Sequence, residues 1–493
     1  MFRDATLKEI DNVMQAAWKA FKSYQEKSIT ERALLMRTVA DHLDEHADAL
    51  LASASIETHL GLPRLRSELG RTIFQWKSYA DACEKANWMD ISIDTADPHR
   101  NPPKPDIRKM MIGLGPVVVF GASNFPFAYS TTGGDTASAL AAGCSVVVKA
   151  HPAHPATSEK VANIILSAVK QCNMPEAVFS HVHGASFEVG KALVMHEHTK
   201  SVGFTGSYAG GKQLFDWANQ RATPIPVFAE MGSVNPVFLL PGKLSAAAKE
   251  MAAMYAASIT LSVGQFCTNP GIIIGIKSDE LNVFMNELSA LINEIAPARM
   301  LHDGIAKAYD EKKIKVLTQD GVSIMAESSV KNGIEEGKPL VATISGENFL
   351  KNKSVQHEVF GPFSLIVQCK DANEILAITQ QMQGQLTATL MATEKDIAQH
   401  KELLSTIKNI CGRLILNGVP TGVEVCRSMH HGGPFPATTD SRFTAVGADA
   451  IKRFARPICF QNWPNDLLPD ELKNENPLGL WRMLNNEFTD RPV

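Results

Sequence analysis

The sequence is short of the patterns that most often explain cysteine. Its eight cysteines, at 83, 144, 172, 267, 369, 411, 426 and 459, include no Cys-x-x-Cys pair and no zinc or disulfide spacing. Reduced thiols are therefore expected, most of them as small core hydrophobes. Cys144 in "GCSVVVKA" and Cys369 in "SLIVQCK" fit that role, because strand-like apolar residues flank them. Long hydrophobic runs are missing too: none reaches the ~20 residues that span a bilayer. The opening "MFRDATLKEIDNVMQAAWKAF" lacks the apolar core of a secretory signal and reads as a surface helix. A cytoplasmic protein is expected, with export by a route the sequence does not display as the alternative. A net charge of −4 gives no electrostatic case for nucleic acid or an anionic membrane as partner. Internal repeats and low-complexity segments are absent.

What is present is a long chain with alternating texture. At 493 residues it exceeds what one hydrophobic core organises, so two or three domains are expected. Residues 1 to about 97 read as helices, one of them opening on "SITE", a Ser-x-x-Glu capping box. The proline-rich "DPHRNPPKPD" ends that pattern. Five short apolar runs follow: "GPVVVFGA", "CSVVVKA", "AVFSHVHG", "SVGFTG" and "PVFAEMG", separated by helical segments. That alternation predicts a parallel, doubly wound sheet, which binds ligands beyond the carboxyl ends of its strands. A second α/β region runs from about 233 to 430, with strands "GIIIGI" and "FSLIVQ". Near the C-terminus "ARPICFQNWP" reads as a terminal strand.

Against this background Cys267 is out of place. It lies in "SVGQFCTNPG", a loop-like run of Gly, Gln, Thr, Asn and Pro. A thiol reachable there suits covalent catalysis, because thiolates attack carbonyls well. Other candidates sit at strand ends of the first sheet. Asn124, in "SNFPF", offers an amide N–H for an oxyanion, or simply an Asx turn. Lys149 ends "VVVK" and could meet a phosphate or ribose, or only solvent. Gly206, Ser207 and Gly211 in "GFTGSYAGG" open a helix that could hold a diphosphate. The full G-x-G-x-x-G fingerprint is absent there, since Tyr208 takes the middle glycine position, and a ligand-free turn is the alternative. Glu230, in "VFAEMG", is a carboxylate among apolar residues, suited to general-base work or to a salt bridge.

The order Asn124, Lys149, the Gly206–Gly211 turn, Glu230, Cys267 and then "HEVFGP" at 357–362 resembles the aldehyde dehydrogenase superfamily over nearly the whole chain. The resemblance implies an α/β fold with a Rossmann-type parallel-sheet cofactor domain, an α/β catalytic domain and a bridging β-arm. It divides the chain into a cofactor domain (1–97 and 114–230), a catalytic domain (231–430) and bridging segments (98–113 and 446–493). A homodimer or homotetramer would follow. It implies that Cys267 is the nucleophile, that Asn124 stabilises the oxyanion and that Glu230 activates the hydrolytic water. Lys149, counted with both the catalytic and the cofactor set, would bind the adenosine ribose. Gly206, Ser207 and Gly211 would form the cofactor turn, Glu358 would hold the nicotinamide ribose, and Phe360 would pack near it.

"EMGSVNPVFLLPG" and "HHGGPFPATTDSRFTAVGADAIKRFARPICFQ" are similar to a branch that oxidises 2,5-dioxopentanoate to 2-oxoglutarate. An NADP-linked branch acting on medium- and long-chain aldehydes is the alternative, and an inactive binding homologue a distant one. NADP is expected over NAD, because Pro152 stands where NAD-preferring relatives carry a glutamate, although Phe187 replaces the arginine of some NADP-linked relatives. Arg442 and Arg427 are the candidate cations for the substrate's far carboxylate, against the alternative of surface arginines. The histidine pairs 151/154, 181/183, 196/198 and 430/431 carry no ligand pattern, and no metal site is expected.

Overall fold

The computed structural model describes residues 2–493. Three large sheets organise it, beside a two-stranded pairing of Ala298–Arg299 with Glu336–Gly337. The first is wholly parallel, in the order Phe179–Val182, Val146–Lys149, Val117–Phe120, Ser201–Thr205, Val227–Glu230. Its valine runs are explained by burial on both faces. Val117, Val119, Val146 and Val148 pack with residues of helices Ile29–Glu45 and Leu62–Lys85, among them Met36, Val39 and Trp76. Val118, Val147 and Val202 turn the other way, onto Met14, Leu193 and Leu214 from helices Leu7–Tyr24, Phe187–Met195 and Tyr208–Asn219. Each fully buried valine contributes roughly 1.5–3 kcal/mol. The "SITE" capping box forms: the Ser28 hydroxyl accepts from Glu31 N–H, and the Glu31 carboxylate accepts from Ser28 N–H at 2.9 Å.

The second sheet has seven strands, in the order Ser323–Glu327, Leu340–Ser345, Phe363–Cys369, Ile272–Ile276, Val237–Leu239, Gln385–Met391, Cys411–Leu416. Only Ser323–Glu327 runs antiparallel to its neighbour. The same two-faced burial recurs: Ile272, Ile274 and Leu365 face one cluster, Ile273 and Ile366 the other. Sequence reading found two of these strands. The others are edge strands or lack an unbroken β-branched run.

The third sheet joins distant segments in the order Ala455–Gln461, Ile107–Gly113, Ser92–Asp94, Arg482–Leu484, Glu487–Thr489. Two expectations are corrected here. Residues 1–97 are not all helical, since Ser92–Asp94 is a strand, and the C-terminal region holds three strands rather than one. Strands of three residues have no readable period. Their pairing partners, such as Leu484 for Ile93, hold them in place. Cys144 and Cys369 are buried as expected, whereas Cys426 and Cys459 are exposed, and all eight thiols are free. Among the described residues no helix is long and apolar enough to cross a membrane.

Candidate active site

The first sheet brings its strand ends to one level. Phe120 lies opposite Lys149 and Phe204, and Thr205 opposite Glu230. The loop carrying Cys267 arrives from the second region, just after helix Pro241–Thr260. Between them lies a cavity of about 360 Å³. Asn124, Gly206, Ser207, Glu230, Cys267, Glu358 and Phe360 all line it. Lys149 and Gly211 stand outside that wall. The Lys149 amine donates to Gly184 O at 3.1 Å. Burial lowers its pKa to about 8, opposed by the Asp4 carboxylate. It does not join the thiol, contrary to its expected catalytic placement. Gly211 packs the helix onto the sheet: a Cβ there would come within 2.7 Å of Met231 Cγ.

The thiol loop is heavily constrained. Ser262 and Val263 both adopt positive φ, 48° and 58°, a strained state for residues with a Cβ. Gly264 follows at φ +62°, where a Cβ would collide with the Gly361 backbone. Four side-chain amides then fasten the loop. Asn235 Nδ2 donates to Cys267 O and to Asn269 O, each at 2.9 Å. Asn269 Nδ2 donates to Gly361 O at 3.2 Å. Gln265 Oε1 accepts from Leu301 N–H at 3.0 Å, and Asn124 Nδ2 donates to Gln265 O at 3.1 Å. The second amide hydrogen of Asn124 is left for a ligand. Sequence reasoning missed Asn235, Gln265 and Asn269, because polar residues in a loop look alike until their partners are known.

Around the sulfur stand two further groups. Cys267 Sγ, a Glu230 oxygen and a His431 ring nitrogen lie within 4.8 Å of one another. His431 Nε2 is 2.9 Å from Glu230 Oε1 and 3.7 Å from Cys267 Sγ. Both side chains are shielded, His431 at 1% exposure and Glu230 at 3%. Neither carboxylate oxygen receives an aligned hydrogen bond, so both keep lone pairs for a proton. Burial raises the Cys267 thiol well above the usual range, and the Glu230 charge adds to this. His431 was not among the candidate residues, since the histidine pairs carry no ligand pattern in the sequence. Its stretch stands out in the sequence, but through Arg442. Segment 431–445 is pinned to the strand end: Met231 N–H donates to Ala437 O at 2.8 Å, and His431 N–H to Thr444 Oγ1 at 2.9 Å.

Elsewhere in the cavity lining burial pushes Glu358 up to about 7, against the opposing charge of Lys312. Ser207 caps helix Tyr208–Asn219, its hydroxyl accepting from Gly210 N–H at 3.2 Å. A second cavity of about 470 Å³ shares Ser207, Lys312 and Glu358 with the first. Together the two spaces offer an elongated site across a helix N-terminus and the switch point of a parallel sheet, which fits a dinucleotide.

The two candidate substrate arginines lie elsewhere. Arg442 is 78% exposed and pairs with Asp440 at 2.6 Å. Arg427 is exposed and lines a separate cavity beside Trp481 and Phe488. Neither lines the cavity that holds the thiol.

A model of the aldehyde dehydrogenase family matches residues 1–434. The chain is 44% identical over 485 residues to an alpha-ketoglutaric semialdehyde dehydrogenase 2 of Azospirillum brasilense, covering 98% of this chain and 92% of that protein. It is also 44% identical over 491 residues to an alpha-ketoglutaric semialdehyde dehydrogenase of Acinetobacter baylyi, covering 99% and 93%. Among solved structures, betaine aldehyde dehydrogenase of Staphylococcus aureus, in complex with NAD+, matches with a TM-score of 0.78 at 18% identity, covering 94% and 90%. Glyceraldehyde-3-phosphate dehydrogenase GapN of Methanocaldococcus jannaschii, complexed with NADP, matches at 0.77 and 18%, covering 93% and 95%. At such identities these two bear on the fold alone.

Proposed function

Since the chain belongs to the aldehyde dehydrogenase family, an NAD(P)-dependent family of oxidoreductases, we propose that it oxidises 2,5-dioxopentanoate to 2-oxoglutarate through a thioester on Cys267. The observation that carries the chemistry is the meeting of Cys267, Glu230 and Asn124 on one cavity wall. The substrate is supported by the two relatives of 44% identity and their printed activity.

The geometry supports the following roles. The partly exposed thiol gives up its proton to solvent as the sulfur–carbon bond forms, which leaves Glu230, its oxygens free of aligned hydrogen bonds, unprotonated for the hydrolytic step. His431 Nε2 packs against the carboxylate at 2.9 Å. The oxyanion of the thiohemiacetal takes the spare Asn124 amide hydrogen and the Cys267 backbone N–H. A nicotinamide bound along this cavity would supply the hydride acceptor for the oxidation. Glu230 then removes a proton from water as it attacks the thioester carbon. The carbon–sulfur bond breaks, the acid leaves and the thiol is reprotonated. Glu358, Phe360, Gly206 and Ser207 would hold the cofactor along the cavity, with Gly211 setting the helix that carries the turn. Lys149 would bind the adenosine ribose.

NADP is the proposed cofactor over NAD. Pro152 puts no carboxylate after the lysine strand, so a 2′-phosphate meets no repulsion from that position. Residues 1–97 and 114–230 form the proposed cofactor domain and 231–430 the catalytic domain. Segments 98–113 and 446–493 would bridge subunits of a homodimer or homotetramer. Support comes from Ala455–Gln461, a largely exposed edge strand open to a partner's sheet. A cytoplasmic location is proposed with it, since eight free thiols suit a reducing compartment.

The test is NAD(P)H formation from 2,5-dioxopentanoate, hexanal and dodecanal, each with NADP and with NAD. The highest kcat/KM belongs to the dioxo acid with NADP. A preference for dodecanal would assign the chain to fatty aldehydes instead.

A further inference from the structure

Three side chains converge at the sulfur more closely than the proposed reaction requires. We propose that Cys267 Sγ, a Glu230 carboxylate oxygen and His431 Nε2 form a three-ligand site for a zinc ion, and that zinc bound there reversibly shuts off the enzyme. The site does not depend on which aldehyde is oxidised. The shut-off rests on the roles given above to Cys267 and Glu230.

No metal site is expected from the sequence, because residues 230, 267 and 431 show no ligand spacing. The fold supplies it from three segments. Glu230 ends strand Val227–Glu230, Cys267 sits in the loop after helix Pro241–Thr260, and His431 opens the stretch pinned to that strand end. Among the described residues this is the one group of three or more His, Cys, Asp or Glu side chains whose ligand atoms lie within 4.8 Å of one another. The backbone of each is already tied. Asn235 Nδ2 donates to Cys267 O at 2.9 Å, and Gly206 N–H donates to Glu230 O at 3.0 Å. His431 N–H donates to Thr444 Oγ1 at 2.9 Å, and His431 O accepts from Ala445 N–H at 2.8 Å. The other histidine pairs differ, since a ring nitrogen in each already faces a protein oxygen. His154 Nε2 lies 3.0 Å from Ala122 O, His181 Nε2 2.8 Å from Ser158 Oγ, and His198 Nε2 2.9 Å from Gln15 Oε1.

The spacing suits a tetrahedral ion. Zinc–sulfur bonds of about 2.3 Å and zinc–nitrogen or zinc–oxygen bonds of about 2.0–2.2 Å give ligand-to-ligand edges of about 3.4–3.6 Å. The imidazole nitrogen lies 3.7 Å from the sulfur and 2.9 Å from Glu230 Oε1, on either side of that range. The 2.9 Å approach is not an aligned hydrogen bond: both Glu230 oxygens are buried without one, on a side chain 3% exposed. A buried carboxylate without a donor is costly, and a cation offsets that cost.

The charges balance as well. The thiol proton leaves to the buffer as the zinc–sulfur bond forms. Thiolate and carboxylate then carry two negative charges against the two positive charges of the ion, and neutral imidazole supplies the third bond. A water in the cavity takes the fourth position, the pattern of open zinc sites. Thiolate and imidazole select zinc over magnesium or calcium, which prefer oxygen ligands. Occupation engages both the sulfur that would attack the aldehyde and the carboxylate that would activate water.

The test uses cobalt(II) as a coloured stand-in for zinc on the reduced full chain, without aldehyde or cofactor. Equimolar cobalt should give a thiolate-to-cobalt charge-transfer band and the strong visible bands of a four-coordinate ion, and equimolar zinc should abolish both. Zinc should block iodoacetamide alkylation of Cys267, read by peptide mass spectrometry, while the exposed Cys426 and Cys459 label as before. It should also stop NAD(P)H formation, and EDTA should restore both labelling and turnover. Losing even an outer support of a metal ligand costs about 10–100-fold in affinity. His431→Ala, and His431→Phe, which keeps a ring in place, should therefore raise the zinc Kd at least that far, with folding checked by circular dichroism. The wild-type readouts need neither variant. A wild type with no charge-transfer band, or with Cys267 unprotected by zinc, would overturn the site, as would an unchanged zinc Kd in a folded His431 variant. Zinc bound with these signatures while turnover continues would overturn the shut-off.

Discussion

The surroundings of the thiol and those of Lys149 are held in different ways. At the thiol end, Asn124, Asn235, Gln265 and Asn269 fasten one loop from several directions, and the base is packed between His431 and the sulfur. At the Lys149 end, the amine meets one carbonyl, Pro152 and Phe187 are exposed, and the nearby carboxylate, Asp4, comes from the N-terminal segment. The acceleration of a reaction depends on placing atoms to a fraction of an ångström. Discrimination between two cofactors needs only one charge gained or lost. The first end is therefore built from mutually dependent contacts, and the second from separable ones.

Perturbing the thiol end should cost most. Glu230→Gln should lower kcat by about 10²–10⁴, leaving a first-turnover burst of NAD(P)H in stopped-flow assays. Asn124→Ala should lower kcat by about 10²–10³, with little change in cofactor affinity measured by fluorescence titration. Asn235→Ala removes the tie to Cys267 O and should destabilise the protein by about 1–3 kcal/mol in urea unfolding. It should lower kcat without altering the NADP/NAD ratio, and a changed ratio would mean that the two ends are coupled.

Effects shrink toward the cofactor walls. Glu358 has its pKa raised to about 7. The fold favours its neutral form, so its contribution is fully present below the unfolded value of about 4.5 and is lost as pH rises through about 7. Unliganded wild type should lose stability over that window relative to Glu358→Gln. The ionised carboxylate is the better acceptor for ribose hydroxyls, so cofactor Kd should tighten across the same window in wild type and stay flat in the variant. Smallest of all, Asp4→Asn should raise the NADP/NAD ratio of kcat/KM by about two- to five-fold, the scale of one exposed charge. A fall in kcat with both cofactors would show that this end is not separable.

How far the sequence discloses the molecule follows the same division. The valine and isoleucine runs were legible because parallel strands bury both faces, and Val117–Phe120 and Ile272–Ile276 carry that imprint. Cys267, Glu230 and Asn124 were each open to a bland reading, and it was their order along the chain that singled them out by resemblance; the fold brings all three to one cavity. Ser92–Asp94 was not legible, since its pairing with Arg482–Leu484 spans most of the chain. His431 was hidden likewise, because its meaning depends on a carboxylate some two hundred positions earlier. Arg442 takes the alternative left open for it, a surface arginine, paired with Asp440 two residues before it.

The central claim is that Cys267 carries the acyl group and that Glu230 releases it. The most direct measurement is peptide mass spectrometry of Glu230→Gln quenched after mixing with 2,5-dioxopentanoate and NADP. The account predicts a near-stoichiometric acyl adduct on Cys267, absent when the cofactor is omitted. NADPH formation with no adduct on Cys267, or with the adduct on another cysteine such as Cys426, would contradict it.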